Sequence, residues 1–143
     1  MIRLDELLAA TGGYTHGPIG PTTFDSFGFD SRIILPGQLF LAVVTDRADG
    51  HNFILDAVSK GATGVLSQRA IDLSAYGATC IVVPDTRQAV QDWARAAVAR
   101  QHLLVIGVTG SVGKTTAKEA IATVLASRFA VFKNRANYNG IYG

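Results

Sequence analysis

Over its first hundred residues the chain alternates short apolar runs with helical spacings of apolar positions. Leu4, Leu7 and Leu8 share one helical face, and Gly12-Gly13 ends that helix. Residues 14–23 are rich in Gly, Pro and Thr and read as loop. Phe27-Gly28-Phe29-Asp30-Ser31-Arg32 reads as a strand running into a turn, and Pro36-Gly37 marks another turn. Gln38 to Val44 is apolar with little alternation, as expected of a strand buried on both faces. A polar loop from Thr45 to His51 follows, with Asp49-Gly50 as its strongest turn signal. Phe53, Ile54, Ala57 and Val58 predict a helix closed by Gly61, and Thr63–Leu66 and Thr79–Val83 predict further strands. Asp85, with Gln88 behind it, predicts the cap of a helix whose apolar face is Val90, Trp93, Ala94, Ala97 and Val98.

A boundary is expected near Arg100-Gln101-His102, giving units of 1–101 and 102–143. Beyond it, residues 103–109 read as a strand and Gly110–Gly113 as a glycine turn. Ala117, Ala120, Ile121, Val124 and Leu125 carry a helix to about Arg128, and Phe129–Lys133 reads as a second strand. Strands alternating with helices predict an α/β fold with largely parallel sheets. A nucleotide-binding sheet normally needs several more strands to cover both its faces. Residues 102–143 are therefore expected to be the start of such a domain, and the chain to be a fragment.

Composition narrows the partners. A 48% hydrophobic content over 143 residues specifies a folded core. The net charge of +2, spread without basic runs or interleaved aromatics, argues against nucleic acid. No apolar stretch is long enough to span a bilayer, and acids stand at Asp5-Glu6 where a signal peptide would be basic, then apolar. A cytoplasmic location is the resulting expectation. Cys80, the single cysteine, lies in an apolar run and reads as a buried structural thiol.

The chemistry concentrates at Thr109-Gly110-Ser111-Val112-Gly113-Lys114-Thr115-Thr116. A glycine turn between a strand and a helix lets backbone N–H groups converge on phosphates, and the helix adds the positive end of its dipole. Lys114 suits the β/γ-phosphates of a nucleotide, and the Thr115 hydroxyl suits Mg²⁺. Val108 stands where the general phosphate-loop pattern has its first glycine. Thr116 is open to two readings, helix capping and direct phosphate contact. His51 has no partner identifiable in sequence, and Asp49-Gly50 reads as turn chemistry.

Three segments in order resemble the Mur ligases, the ATP-dependent amino-acid ligases of peptidoglycan precursor synthesis. They are Asp30-Ser31-Arg32 with Pro36-Gly37-Gln38-Leu39-Phe40-Leu41-Ala42, then Ala48-Asp49-Gly50-His51-Asn52-Phe53-Ile54 with Gly61-Ala62, then the phosphate loop. Within the family, Lys118-Glu119 and Asn137-Tyr138-Asn139 with Gly143 resemble the branch that joins UDP-N-acetylmuramoyl-tripeptide to D-Ala-D-Ala. Gly140-Ile141 departs from the family, which commonly has Asn and an acidic residue there.

The resemblance implies a small N-terminal substrate domain followed by the first strand, phosphate loop and helix of an ATPase domain. It implies ATP and Mg²⁺ as cofactors, with ATP held by Gly110, Ser111, Val112, Gly113, Lys114, Thr115 and Thr116. It implies Phe29, Ser31, Asp46, Arg47 and Ala48 as contacts to the UDP end of the substrate, with Asn137 and Asn139 meeting substrate at a domain interface. Asp30 and Arg32 are expected to fix their own turn by local hydrogen bonds. The fragment alone is expected to be inactive. The sister ligase that adds the third peptide residue, a UDP-sugar-binding module without catalysis, and an unrelated phosphate-loop kinase or GTPase are the alternatives. The missing glycine at Val108 and the upstream segments weigh against the last.

Overall fold

The computed structural model describes residues 1–46, 48–101 and 103–134. The chain divides into two compact units, Met1–His102 and Leu103–Gly143.

The first unit is built on a five-stranded sheet. Its strands are β2 (Tyr14–His16), β4 (Phe27–Gly28), β5 (Leu39–Leu41), β6 (Gly64–Ser67) and β7 (Thr79–Val82), in the order β2-β7-β6-β5-β4. β4 to β7 are mutually parallel, and β2 adds antiparallel at the β7 edge. β1 (Ile2–Arg3) pairs antiparallel with β3 (Thr23–Phe24) in a separate ribbon. The helices are α1 (Leu4–Thr11), α2 (Ile54–Ser59) and α3 (Thr86–Arg100).

Every residue of β5, β6 and β7 is buried, so these strands are covered on both faces. Phe40, Val65 and Cys80 lie in register across the sheet and pack with Ile54, Ala57 and Val58 of α2. On the opposite face, the Thr79 hydroxyl donates to the Pro21 carbonyl (2.8 Å). There too the Trp93 ring of α3 meets Phe27 edge-on, with centroids 5.0 Å apart. α1 packs against α3. Cys80 is 1% exposed, and burial pushes its thiol up from the ordinary value, so it is a core residue as expected.

Helix ends follow the sequence signals. Gly12 closes α1 in the left-handed conformation, φ 65°. The Asp85 carboxylate accepts the N–H groups of Arg87 and Gln88 at the start of α3. The capping box is one-way, because the Gln88 side chain donates to Asp92 instead. On α3 Ala94 is exposed, contrary to the predicted apolar face, and Ala89 is buried in its stead.

Two further expectations are corrected in this unit. Residues 14–23 are not all loop, because the sheet recruits Tyr14–His16 as an antiparallel edge strand. A strand so short, with side chains largely exposed, carries no apolar alternation to announce it. The strand at Phe27 ends at Gly28, because Asp30 turns the chain.

The second unit contains α4 (Lys114–Leu125), preceded by the glycine turn. The predicted strands at 103–109 and 129–133 are not formed. A strand needs a ladder partner, and no pairing involves these segments among the described residues. Of the predicted apolar face of α4, Val124 is 71% exposed, whereas Ala122 is buried.

Candidate functional site

Two places merit construction from their residues: the carboxyl end of the parallel sheet in the first unit, and the glycine turn in the second. Open parallel sheets bind ligands beyond the carboxyl ends of their strands, where the connecting loops gather.

Beyond β4 lies the Asp30-Ser31-Arg32 turn. The Asp30 carboxylate accepts the Arg32 backbone N–H (3.0 Å) and both arms of its guanidinium (2.9 and 2.6 Å). That guanidinium and N–H hold the Asp30 carboxyl down to about 2. The pair is therefore local turn chemistry, as expected. Ser31 is buried, its carbonyl accepts from the Lys60 ammonium (3.1 Å), and after Lys60 its side chain helps to hold the Asp56 carboxyl below the ordinary value. Lys60 also pairs with Asp56 (2.8 Å), which ties the turn to α2. Phe29, just before the turn, is 54% exposed.

Beyond β5 lies a tight loop. The Thr45 N–H donates to the Ala48 carbonyl (2.8 Å), and the Ala48 N–H donates to the Thr45 hydroxyl (3.0 Å). Asp46 and Ala48 are exposed on it. Because β4 and β5 are parallel neighbours, Phe29 and Ser31 share this sheet edge with Asp46 and Ala48. Arg47, Asn137 and Asn139 lie outside the described residues.

The Asp49-Gly50-His51 segment closes that loop, and its roles are structural. The Gly50 N–H donates to the Val43 carbonyl (2.8 Å), folding the chain against β5. Asp49 caps the turn through the His51 N–H (2.9 Å) and accepts from His51 Nδ1 (2.6 Å) and the Arg69 guanidinium (2.8 Å). His51 Nε2 accepts the Gln68 N–H (3.1 Å). A neutral ring with its proton on Nδ1 satisfies both nitrogens, so the 8%-exposed His51 is a core residue and not a base.

Asp49 is also held down to about 2, first by the His51 N–H and then by the His51 ring. For Asp30 and Asp49 the folded value lies below the ordinary 3.8. Their contribution is thus complete above that value and is lost as pH falls through about 2. The urea midpoint is expected to drop between pH 5 and pH 2, and to drop less in Asp49→Asn. Equal pH slopes in the two proteins would refute the assignment.

In the second unit the chain curls at Gly110 (φ 147°) and Gly113 (φ 80°), conformations that favour glycine. Residues 111–113 are exposed. α4 begins at Lys114, and the Gly113 carbonyl accepts the Ala117 N–H (2.9 Å). The N–H groups of the first turn therefore point along the axis toward the loop, as an anion site requires. The Lys114 ammonium folds back to the Gly110 carbonyl (2.6 Å), bringing a positive charge to the turn. Thr115 and Thr116 stand in the first helical turn.

The described residues include no group of three His, Cys, Asp or Glu able to hold a metal. A divalent ion at Thr115 would draw its other ligands from phosphate and water, which is how Mg²⁺ prefers to bind. The residues present fit that arrangement.

Sequence reasoning missed Lys60, Arg69 and Arg87, which anchor the loops. Their loop partners lie 20 or more positions away, and the one local pairing, Lys60 with Asp56 at i,i+4, does not point to the Ser31 turn.

The chain is similar to known proteins in sequence and in fold. Residues 23–100 match the family described as Mur ligase family, catalytic domain. The UDP-N-acetylmuramoyl-tripeptide–D-alanyl-D-alanine ligase of Treponema pallidum is 37% identical over 153 aligned positions, covering 100% of this chain and 33% of the relative. The solved UDP-N-acetylmuramoylalanyl-D-glutamyl-2,6-diaminopimelate–D-alanyl-D-alanyl ligase of Acinetobacter baumannii superposes with a TM-score of 0.87 at 33% identity, covering 98% of this chain and 31% of that one. The MurF ligase of Thermotoga maritima, solved in complex with ADP, gives 0.69 at 34% identity over 82% of this chain and 27% of its own. The chain thus spans about a third of the length of these relatives.

Proposed function

This chain belongs to the Mur ligase family, and from that premise we propose that it supplies two parts of a ligase joining UDP-N-acetylmuramoyl-tripeptide to D-Ala-D-Ala. Met1–His102 holds the UDP end of the nucleotide substrate, and the following unit grips ATP. The observation that carries the reading is the phosphate loop, with two glycines at positive φ and Lys114 at the head of α4.

The reaction begins when a terminal carboxylate oxygen of the tripeptide attacks the γ-phosphorus of ATP, releasing ADP and forming an acyl phosphate. The amine of D-Ala-D-Ala then attacks the acyl carbon, and phosphate leaves from the tetrahedral intermediate. Carboxylate and triphosphate repel one another, so catalysis consists of neutralising charge and holding the two in line. Lys114 places a cation on the β/γ-phosphates, and the amides from Gly110 to Thr116 cradle them. Thr115 would hold Mg²⁺, which supplies further charge neutralisation when bound. Phe29, Ser31, Asp46, Arg47 and Ala48 orient the nucleotide end, and Asn137 and Asn139 contact substrate. Use of ATP and a UDP-linked precursor fits a cytoplasmic enzyme. Among the described residues no helix is long and apolar enough to cross a membrane.

The test is a hybrid in which this chain replaces the corresponding third of the Treponema pallidum ligase. It should release phosphate only when ATP, UDP-N-acetylmuramoyl-tripeptide and D-Ala-D-Ala are all present. The 143-residue chain alone should release none. A folded hybrid without turnover would refute the proposal.

A further inference from the structure

The loop beyond β5 carries Asp46 and Ala48 and is closed on itself by hydrogen bonds between Thr45 and Ala48. The groups that fix where it stands come from other elements at the same sheet edge. On one side, the Arg69 guanidinium, just past β6, reaches Asp49 at 2.8 Å. Arg69 is itself held, since its N–H donates to the buried Ser67 hydroxyl (3.0 Å) and its carbonyl accepts from that hydroxyl (2.8 Å). On the other side, the Arg87 guanidinium, in the first turn of α3, donates to the Val44 carbonyl at 2.8 Å. The Arg87 N–H is fixed by Asp85 (2.7 Å), and Thr86 beside it is buried and donates to the Ala42 carbonyl (3.3 Å). Val44 and Asp49 are also bridged to each other, so both ends of the loop meet at one point.

We propose that Arg69 and Arg87 are positioning residues that preorganise the β5 loop for the nucleotide end of the substrate, one from each side. The inference rests on the reading that this loop holds the UDP end. Neither arginine need touch the ligand. Each spends its guanidinium on a partner at the root of the loop, and each is anchored through its own backbone. A loop held in its bound shape loses less entropy when ligand arrives, so the arginines should be felt in affinity. Both side chains are exposed at this edge, so their removal should leave the core intact.

The test uses the 143-residue chain with Arg69→Met and Arg87→Met, which keep the apolar stem and delete the charge. UDP-N-acetylmuramoyl-tripeptide is titrated calorimetrically, and amide exchange at Thr45 and Ala48 is followed without ligand. Each variant should bind about tenfold more weakly, the order expected for a charge-assisted hydrogen bond. Exchange at both amides should rise while the thermal midpoint stays put, and Arg69→Lys should recover part of the affinity. Unchanged exchange and affinity in both variants would overturn the proposal. So would a fall in thermal midpoint that accounts for the whole loss. If the parent chain itself binds no UDP-substrate, the underlying reading fails, and the exchange data still decide whether the arginines hold the loop.

Discussion

Gly50→Ala is expected to destabilise the first unit by about 3 kcal/mol, the upper part of the range for overpacking a closed site. A Cβ at this position would lie 2.6 Å from the Val43 nitrogen and 2.7 Å from the Val43 oxygen. Both are backbone atoms beside a buried strand, so no rotamer change can relieve the clash. The chain must instead part from β5, which breaks the Gly50–Val43 hydrogen bond and shifts Asp49 and His51 with it. Domains are stable by only about 5–15 kcal/mol in total, so the loss is a large share. Urea denaturation followed by the fluorescence of Trp93, the sole tryptophan, would measure it. A midpoint equal to that of the parent chain would contradict the role given to the close packing at Gly50.

Lys114→Met is the second large effect, and it falls on chemistry rather than folding. Among the described residues the Lys114 ammonium donates to the exposed Gly110 carbonyl, so its loss should leave the melting curve nearly unchanged. In the hybrid ligase, however, it removes the cation that offsets charge on the transferring phosphoryl group. Removal of one such preorganised group lowers kcat by about 10²–10³. Lys114→Arg should recover little, because a broad planar guanidinium does not replace a point charge in a tight turn. A Lys114→Met hybrid within tenfold of the parent rate would contradict the assigned role.

The sheet was legible where apolar runs are long enough to be buried on both faces. β5, β6 and β7 and the helices between them follow from composition and caps, and Asp85 and Gly12 stand where the sequence puts them. Tyr14–His16 escaped because edge pairing is a tertiary event, made by the free side of β7. The 103–109 and 129–133 segments have strand composition without a ladder partner, so composition alone overstated them. At the candidate site, Asp30-Ser31-Arg32 and the phosphate loop were visible as local motifs. The link from Asp49 to Arg69 was not, because it joins residues 20 positions apart. His51, for which the sequence shows no partner, is bonded to Asp49 and Gln68.

The central claim is that the carboxyl edge of this sheet receives a UDP-linked muramoyl peptide. Calorimetric titration of the 143-residue chain with UDP-N-acetylmuramoyl-tripeptide tests it most directly. Saturable one-to-one binding is expected, weakened by Arg69→Met and unaffected by Lys114→Met, which lies in the other unit. No heat at millimolar ligand from a chain that melts cooperatively would contradict the account.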